Sequence, residues 1–474
     1  MNPISRLRVG MVALHMSSYF AEEYGVFDRS LQGLAQLAAE SEIEIVVAPS
    51  HATTADEVAA ARKFFEGANL DCLVVLLATC TTSDPILELS RLGLPMALWA
   101  VPEPRFDGPI QLNSYVALQI AASTLHRQND LSPQPKIIYK CLFGDAEESR
   151  FVEPFLTMIR AIRVRKSLSS SRIGLIGDVA PGFVNLNYDA AYIRSVLGVE
   201  FVRHDVSELL VDGYTSGEVS AVAEEMCRAA RRVNVPDDAV LASARVYLNL
   251  RRLVDENGYG ALAVRDWPEM QTLARMSPLL AMAWLSERDG IPVACEGDAL
   301  GAITLLALQT VSDSMSTLLD VGPSSPAGTE LLVWHLGSSP HGFADESGVT
   351  YEFHSTLGRK GDGPYGTVVD QRFSSGRVTL INLSDGGKTL LVAGGRLVDG
   401  GLPGPSGDRG WLVDTELRGE SVTVSTFLDT ALHRGLAHHC ALAYGDWQSE
   451  MAEFGSWFGL DTVVPIAPNS ATSK

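Results

Sequence analysis

The chain has 474 residues, 46% hydrophobic and 20% charged, which excludes a mainly disordered polymer and supplies more than one core. Lys and Arg number 37 against 57 Asp and Glu, a formal charge of −20. So acidic a chain repels phosphate backbones and anionic lipid, so no nucleic acid and no membrane is expected as partner.

In chain order, Arg8–Leu14 reads as a first buried strand. The helical spacing of Val26–Ala39, strand Glu42–Ala48, the polar-faced helix Ala55–Glu66, and strands Leu70–Leu77 and Leu94–Ala100 follow. Strands with little alternation, separated by helices, imply a parallel sheet covered on both faces. Lys166–Ser171 is a polar break, after which RIGLIGDVAPGF opens a second α/β unit. Helix Ala190–Leu197, strands Glu200–Arg203 and Ala261–Val264, helix Met276–Glu287 and strand Pro292–Cys295 belong to it. Beyond about Val321 the segments are short, with Gly-rich turns at Asp385–Gly387 and Asp399–Gly401. Val349–Phe353, Arg377–Leu383, Thr389–Arg396, Trp411–Glu416 and Val422–Phe427 read as antiparallel strands of a small barrel or sandwich. Helix Trp447–Phe458, strand Thr462–Ile466 and a frayed tail, Asn469–Lys474, close the chain. The expected fold is therefore α/β. Two doubly wound parallel-sheet domains, 1–170 and 171–321, precede a C-terminal antiparallel, barrel-like domain, 322–474.

Six scattered cysteines without a CxxC pair form no disulfide framework and point to a reducing cytoplasm. No run approaches 18 uninterrupted apolar residues, so no transmembrane helix is expected.

The chemistry-bearing residues sit beside apolar runs. Glu296, in Ala294-Cys295-Glu296-Gly297-Asp298, follows one strand and precedes an apolar helix. Ligands of parallel sheets bind at such strand ends, and a carboxylate there must be paired, hydrogen-bonded or metal-bound. Asp298 is well placed to cap that helix. Asp320 follows Met315–Leu319 and opens the turn Val321–Pro326. His335 lies in the strand-like Leu332–Leu336, as a core histidine or a ligand. His438 and His439 precede Cys440–Tyr444, and adjacent strand residues face opposite sides, so one of the two should face a given site and the other pack. Two carboxylates and two imidazoles suit Mn²⁺, Fe²⁺, Co²⁺ or Zn²⁺. The loop Ile173–Phe183 lacks GxGxxG and reads as a tight strand-to-loop turn. Thr79–Asp84 lies beyond a parallel strand as a ligand-contacting or a solvated loop, and Arg359-Lys360 and Arg372 read as solvated unless a bound substrate is anionic.

The segments ACEGDALGA, LLDVG, WHLGSSP and LAHHCALAYGDW, in this order, resemble the L-fucose isomerase and L-arabinose isomerase superfamily. The resemblance covers the whole chain in architecture and is specific in motif from about Trp267 to Trp447. It implies a divalent metal, most often Mn²⁺, held by Glu296, Asp320 and His439, with His438 the alternative, and with His335 added as in the arabinose branch. It implies a homo-oligomer, a hexamer or trimer, whose N-terminal domain reaches a neighbour's site, which makes His15 and Tyr19, after the first strand, candidates for substrate contact. The implied activity is metal-dependent aldose–ketose isomerisation through an enediol, with Glu296 and Asp320 shuttling protons between C1 and C2. Pentoses, 6-deoxyhexoses and anionic hexoses such as sulfoquinovose are all open as substrate. The competing reading is a sugar-binding or regulatory protein on the same scaffold.

Overall fold

The computed structural model describes residues 6–131, 136–356, 366–398 and 402–466. The chain divides into two compact units, with the boundary between Arg163 and Val164.

The first unit is a five-stranded parallel sheet of β1 (Leu7–Leu14), β2 (Ile43–Val47), β3 (Cys72–Leu77), β4 (Met96–Ala100) and β5 (Tyr139–Phe143), in the order β2-β1-β3-β4-β5. Every residue of β3 and β4 is buried, because helices cover both faces of a parallel sheet and leave no solvated side for polar alternation. β5 escapes the sequence pattern because it is an edge strand, with Lys140 in it and Cys141 exposed. Helix Ala55–Glu66 starts where its residues dictate. Thr54 accepts from the Glu57 backbone N–H while the Glu57 carboxylate accepts from the Thr54 backbone N–H.

The second unit opens with β6 (Arg172–Ile176), β7 (Glu200–His204), β8 (Arg232–Val233), β9 (Tyr259–Val264) and β10 (Val293–Ala294). Four of these form a parallel sheet ordered β10-β9-β6-β7. Then come β11 (Ser316–Ser324), β12 (Leu331–His335), β13 (Thr350–Phe353), β14 (Thr367–Arg372), β15 (Gly376–Ser384), β16 (Thr389–Val398), β17 (Asp408–Leu417), β18 (Glu420–Ser421), β19 (His439–Tyr444) and β20 (Asp461–Thr462). β16-β15-β19-β11-β12-β17 run antiparallel, and β17 pairs back to β16, which closes a six-stranded barrel with the remaining strands outside it. The expected α/β fold with a C-terminal antiparallel barrel is the one observed. Helix Ala299–Ser312 packs against both the second sheet and the barrel, which is why it is apolar and buried almost all round.

Four local readings need correction. Val422–Phe427 alternates like a strand, but Thr423 caps a helix, Val424–His433, by accepting from the Thr426 N–H. Lys166–Ser171 is no break: helix Ser149–Ser169 runs into it, its serines bonding back to carbonyls one turn earlier. Asp320 does not open a turn, because β11 continues to Ser324 and pairs on both sides. Of Thr462–Ile466 only Thr462 is strand. The readings at Asp399–Gly401, Arg359-Lys360 and Asn469–Lys474 lie outside the described residues.

Candidate active site

Three C-terminal strand ends of the second sheet supply one side of the site. The segment after β10 makes a sharp turn, Cys295–Asp298. Glu296 sits there at φ 56° and Gly297 at φ 70°. Left-handed backbone at a non-glycine residue costs free energy and persists only where the surroundings enforce it. Here they do. The Glu296 N–H donates to Asp266 Oδ1 at 2.7 Å, and its carbonyl accepts from the Ala180 N–H at 2.9 Å. The Gly297 N–H donates to the Val264 carbonyl at 3.0 Å. A Cβ on Gly297 would stand 2.3 Å from the Asp178 carbonyl oxygen, so only glycine fits. Asp266 follows β9 and Ala180 lies in the loop after β6, so all three strands hold Glu296 in place.

Barrel strands supply the other side. In the antiparallel ladder Asp320 of β11 lies directly opposite His439 of β19. Asn382 of β15 donates to the carbonyls of Ala437 and His439 and fixes the approach to β19.

The side chains converge on the Glu296 carboxylate. His438 Nε2 is 3.3 Å and His439 Nε2 3.6 Å from Glu296 Oε2, and His439 Nε2 is 3.8 Å from Asp320 Oδ1. Glu296, His438 and His439 each bring a ligand-type atom within 4.8 Å of the others. Both imidazoles reach Glu296 because His438 stands just ahead of β19, where strand alternation does not apply. Their protons differ. His439 Nδ1 lies 2.9 Å from Asp298 Oδ2, which holds a proton on Nδ1 and turns Nε2 toward Glu296 and Asp320. His438 Nδ1 faces the Asn185 amide nitrogen at 3.0 Å and accepts from it, so Nε2 carries the proton and donates to Glu296. Phe183 packs against the His438 ring. Asp298 does two tasks: its other oxygen, Oδ1, accepts from the Gly301 N–H at 2.8 Å and caps helix Ala299–Ser312.

Burial sets the charges. Burial by itself pushes the His439 imidazole down, but the hydrogen bond and charge of Asp298, with Asp320 and Glu296 behind it, raise it to about 9. Burial raises the Asp320 carboxyl, with Glu296 adding to it and both imidazoles opposing. Asp320 Oδ1 is sealed from solvent with no hydrogen-bond partner among the described residues. Burial raises Asp266 to about 7, opposed by the Glu296 N–H. His335 is held well below its usual value by burial and by His439.

The structure brings Glu296, Asp320 and His439 together. It sets His335 beside Cys295, Nε2 to Sγ 3.2 Å, rather than against a carboxylate. The sequence reading passed over Asp266, Cys295 and Asn185. Asp266 carried the same signal as Glu296, a carboxylate just past a buried parallel strand. Cys295 looked like a small buried hydrophobe, and Asn185 had no signal. The Ile173–Phe183 segment is the tight turn expected, with Gly177 at φ 83°. In the first unit His15 Nε2 bonds Thr53 Oγ1 at 2.8 Å, and Tyr19 Oη accepts from Asn113 Nδ2 at 3.2 Å.

No family model matches the chain. It is similar to the sulfoquinovose isomerase of Priestia aryabhattai, 26% identical over 430 residues, 89% of this chain and 92% of the relative. A sulfoquinovose isomerase of Alkalicoccus urumqiensis is 26% identical over 381 residues, 79% of this chain and 81% of its own. The chain is an aldose–ketose isomerase, an intramolecular oxidoreductase. That settles the choice between an enzyme and a binding protein on the same scaffold. A solute-binding protein from Agrobacterium vitis bound with alpha-D-tagatopyranose covers 56% of this chain and 78% of its own at a TM-score of 0.18, too low to carry any argument. No described helix is long and apolar enough to cross a membrane.

Proposed function

We propose that the chain interconverts an anionic aldose of the sulfoquinovose type and its 2-ketose at a divalent-cation centre, with Glu296 and Asp320 as the proton-handling pair. The observation that carries this reading is the meeting of Glu296, Asp320 and Nε2 of His439, with one buried oxygen of Asp320 that makes no hydrogen bond among the described residues. A buried carboxylate oxygen without a hydrogen bond is disfavoured, and a cation between these groups would satisfy it. The donor set fits: carboxylate and imidazole ligands suit Mn²⁺. Glu296, Asp320 and His439 would hold the ion, as the resemblance to the fucose and arabinose isomerases implies. The ion would supply Lewis-acid stabilisation of negative charge developing on the sugar oxygens.

The remaining work falls to the chain. One carboxylate takes the proton from C2 and the other serves the substrate oxygens, with the proton returned at C1. His438, donating to Glu296, orients that carboxylate. Asp298 keeps the proton of His439 on Nδ1, away from the reacting atoms. The buried Asp266 accepts from the Glu296 backbone and fixes where its side chain starts. The sulfoquinovose of the two relatives' name, a sugar sulfonate, supports the anionic class. The same resemblance carries a trimer or hexamer, for which light scattering showing a fully active monomer would be the contrary result.

Incubation with sulfoquinovose and Mn²⁺ in D₂O, followed by NMR, tests the reading. Ketose carrying solvent deuterium at C1, formed only before chelation, is the expected result. Full turnover after dialysis against EDTA, with an unchanged circular dichroism spectrum, would overturn the cation centre. Turnover of L-fucose or L-arabinose but not of sulfoquinovose would overturn the substrate class.

A further inference from the structure

His439 Nε2 faces two donor sets, and the Glu296 side is only one of them. On the other, Cys295 Sγ lies 3.9 Å from His439 Nε2 and 3.2 Å from His335 Nε2. Cys295, His335 and His439 are all buried, and their donor atoms fall within 4.8 Å of one another. A tetrahedral zinc with a sulfur at about 2.3 Å and a nitrogen at about 2.05 Å spaces that pair about 3.6 Å apart. The two observed sulfur–nitrogen distances bracket this value. One thiolate with two imidazoles is a soft set, whereas the Glu296–Asp320 side is a hard one. His335 Nδ1 has no partner among the described residues, so no hydrogen bond there turns its ring away from Cys295. An imidazole nitrogen has one lone pair, so His439 Nε2 can serve one ion at a time.

We propose that Cys295, His335 and His439 form a second cation position that takes a thiophilic divalent ion such as Zn²⁺ or Cd²⁺, and that filling it withdraws His439 from the carboxylate position. On binding, the Cys295 S–H bond breaks, a sulfur–metal bond forms, and the thiol proton and the proton on His439 Nε2 both leave to solvent, with no change of oxidation state. The thiophilic ion is thereby an inhibitor that competes with Mn²⁺ through a shared ligand. The mutual exclusion rests on the proposed carboxylate centre; the thiolate position does not.

The test uses the full chain depleted of metal. Titration with Cd²⁺ is followed by the ultraviolet thiolate-to-cadmium charge-transfer band. The band should saturate near about one equivalent in the parent and in Cys440→Ser, and vanish in Cys295→Ser. His335→Ala, which keeps the thiol, should weaken Cd²⁺ binding by about tenfold or more. Absence of the band in the parent, or its survival in Cys295→Ser, overturns the position. Should Cys295→Ser fail to fold by circular dichroism, His335→Ala decides, and unchanged Cd²⁺ affinity there is the overturning result. Bound Mn²⁺, read by electron paramagnetic resonance, should be released by stoichiometric Zn²⁺ in the parent and resist about tenfold more in Cys295→Ser. Simultaneous binding of both ions overturns the exclusion. A parent that shows the cadmium band but binds no Mn²⁺ supports the thiolate position and overturns the carboxylate centre instead.

Discussion

The turn Cys295–Asp298 and the strand His439–Tyr444 deliver their side chains to one point by opposite means. The turn places Glu296 through a left-handed backbone pinned by Asp266, Ala180 and Val264, partners remote in sequence. The strand places His439 through ordinary antiparallel register, opposite Asp320, with each neighbour bonded as in any sheet. A strained turn depends on its surroundings for its geometry, while a ladder carries its geometry along with it. Changes that disturb the backbone of the turn should therefore spread to fold and site together, while a change confined to one side chain, on the turn or on the strand, should stay with the substituted group.

The largest effect is expected from Glu296→Gln. It keeps the volume and the backbone but removes the shared carboxylate, so turnover should fall by about 10² to 10⁴ or more with circular dichroism unchanged. Activity within threefold of the parent would make Glu296 structural only. On the strand side, His439→Ala should weaken Mn²⁺ binding at least about tenfold; on the turn side, Asp298→Asn should weaken it by about 10- to 100-fold through loss of the group that fixes the His439 proton. Asn still caps the helix, so thermal stability of Asp298→Asn should hardly move. Titration of both variants with Mn²⁺ decides, and an unaffected Asp298→Asn would separate the cap from the site. Gly297→Ala should destabilise the chain by about 1–3 kcal/mol, because the added Cβ meets the Asp178 carbonyl on a left-handed backbone. Thermal unfolding measures it, and an unchanged midpoint would mean that the turn is less constrained than its bonds require. The smallest effect belongs to His438→Ala. Turnover should fall by less than about tenfold through a less well oriented Glu296, while Mn²⁺ affinity stays within about threefold. A large loss of Mn²⁺ affinity there would make His438 a ligand and displace the tautomer derived from Asn185.

Much of the architecture is legible in the residues. Buried parallel strands read as continuous apolar runs because both their faces are covered, and this made β1, β3 and β4 plain. Edge strand β5 lacked that cover and that pattern. Val422–Phe427 alternated like a strand, yet the hydroxyl of Thr423 capped a helix instead. Glu296 stood out as a carboxylate past a buried strand, and Asp266 carried the same mark unread. Asp320, alone in sequence, looked like a turn residue, since nothing local says that β11 runs on and pairs with β19.

The sequence by itself determined the α/β order, the antiparallel C-terminal third, and the short set of carboxylates and imidazoles from which a site could be drawn. These follow from apolar periodicity and turn chemistry, which are properties of neighbours along the chain. Only the tertiary structure decided that the barrel closes through β16 and β17, that Asp298 both caps a helix and orients His439, and that both late histidines reach Glu296. It also decided that His335 stands with Cys295 rather than with the carboxylates. Each of these is a contact between residues distant in sequence, set by strand register and by hydrogen bonds across elements, and no local pattern encodes it.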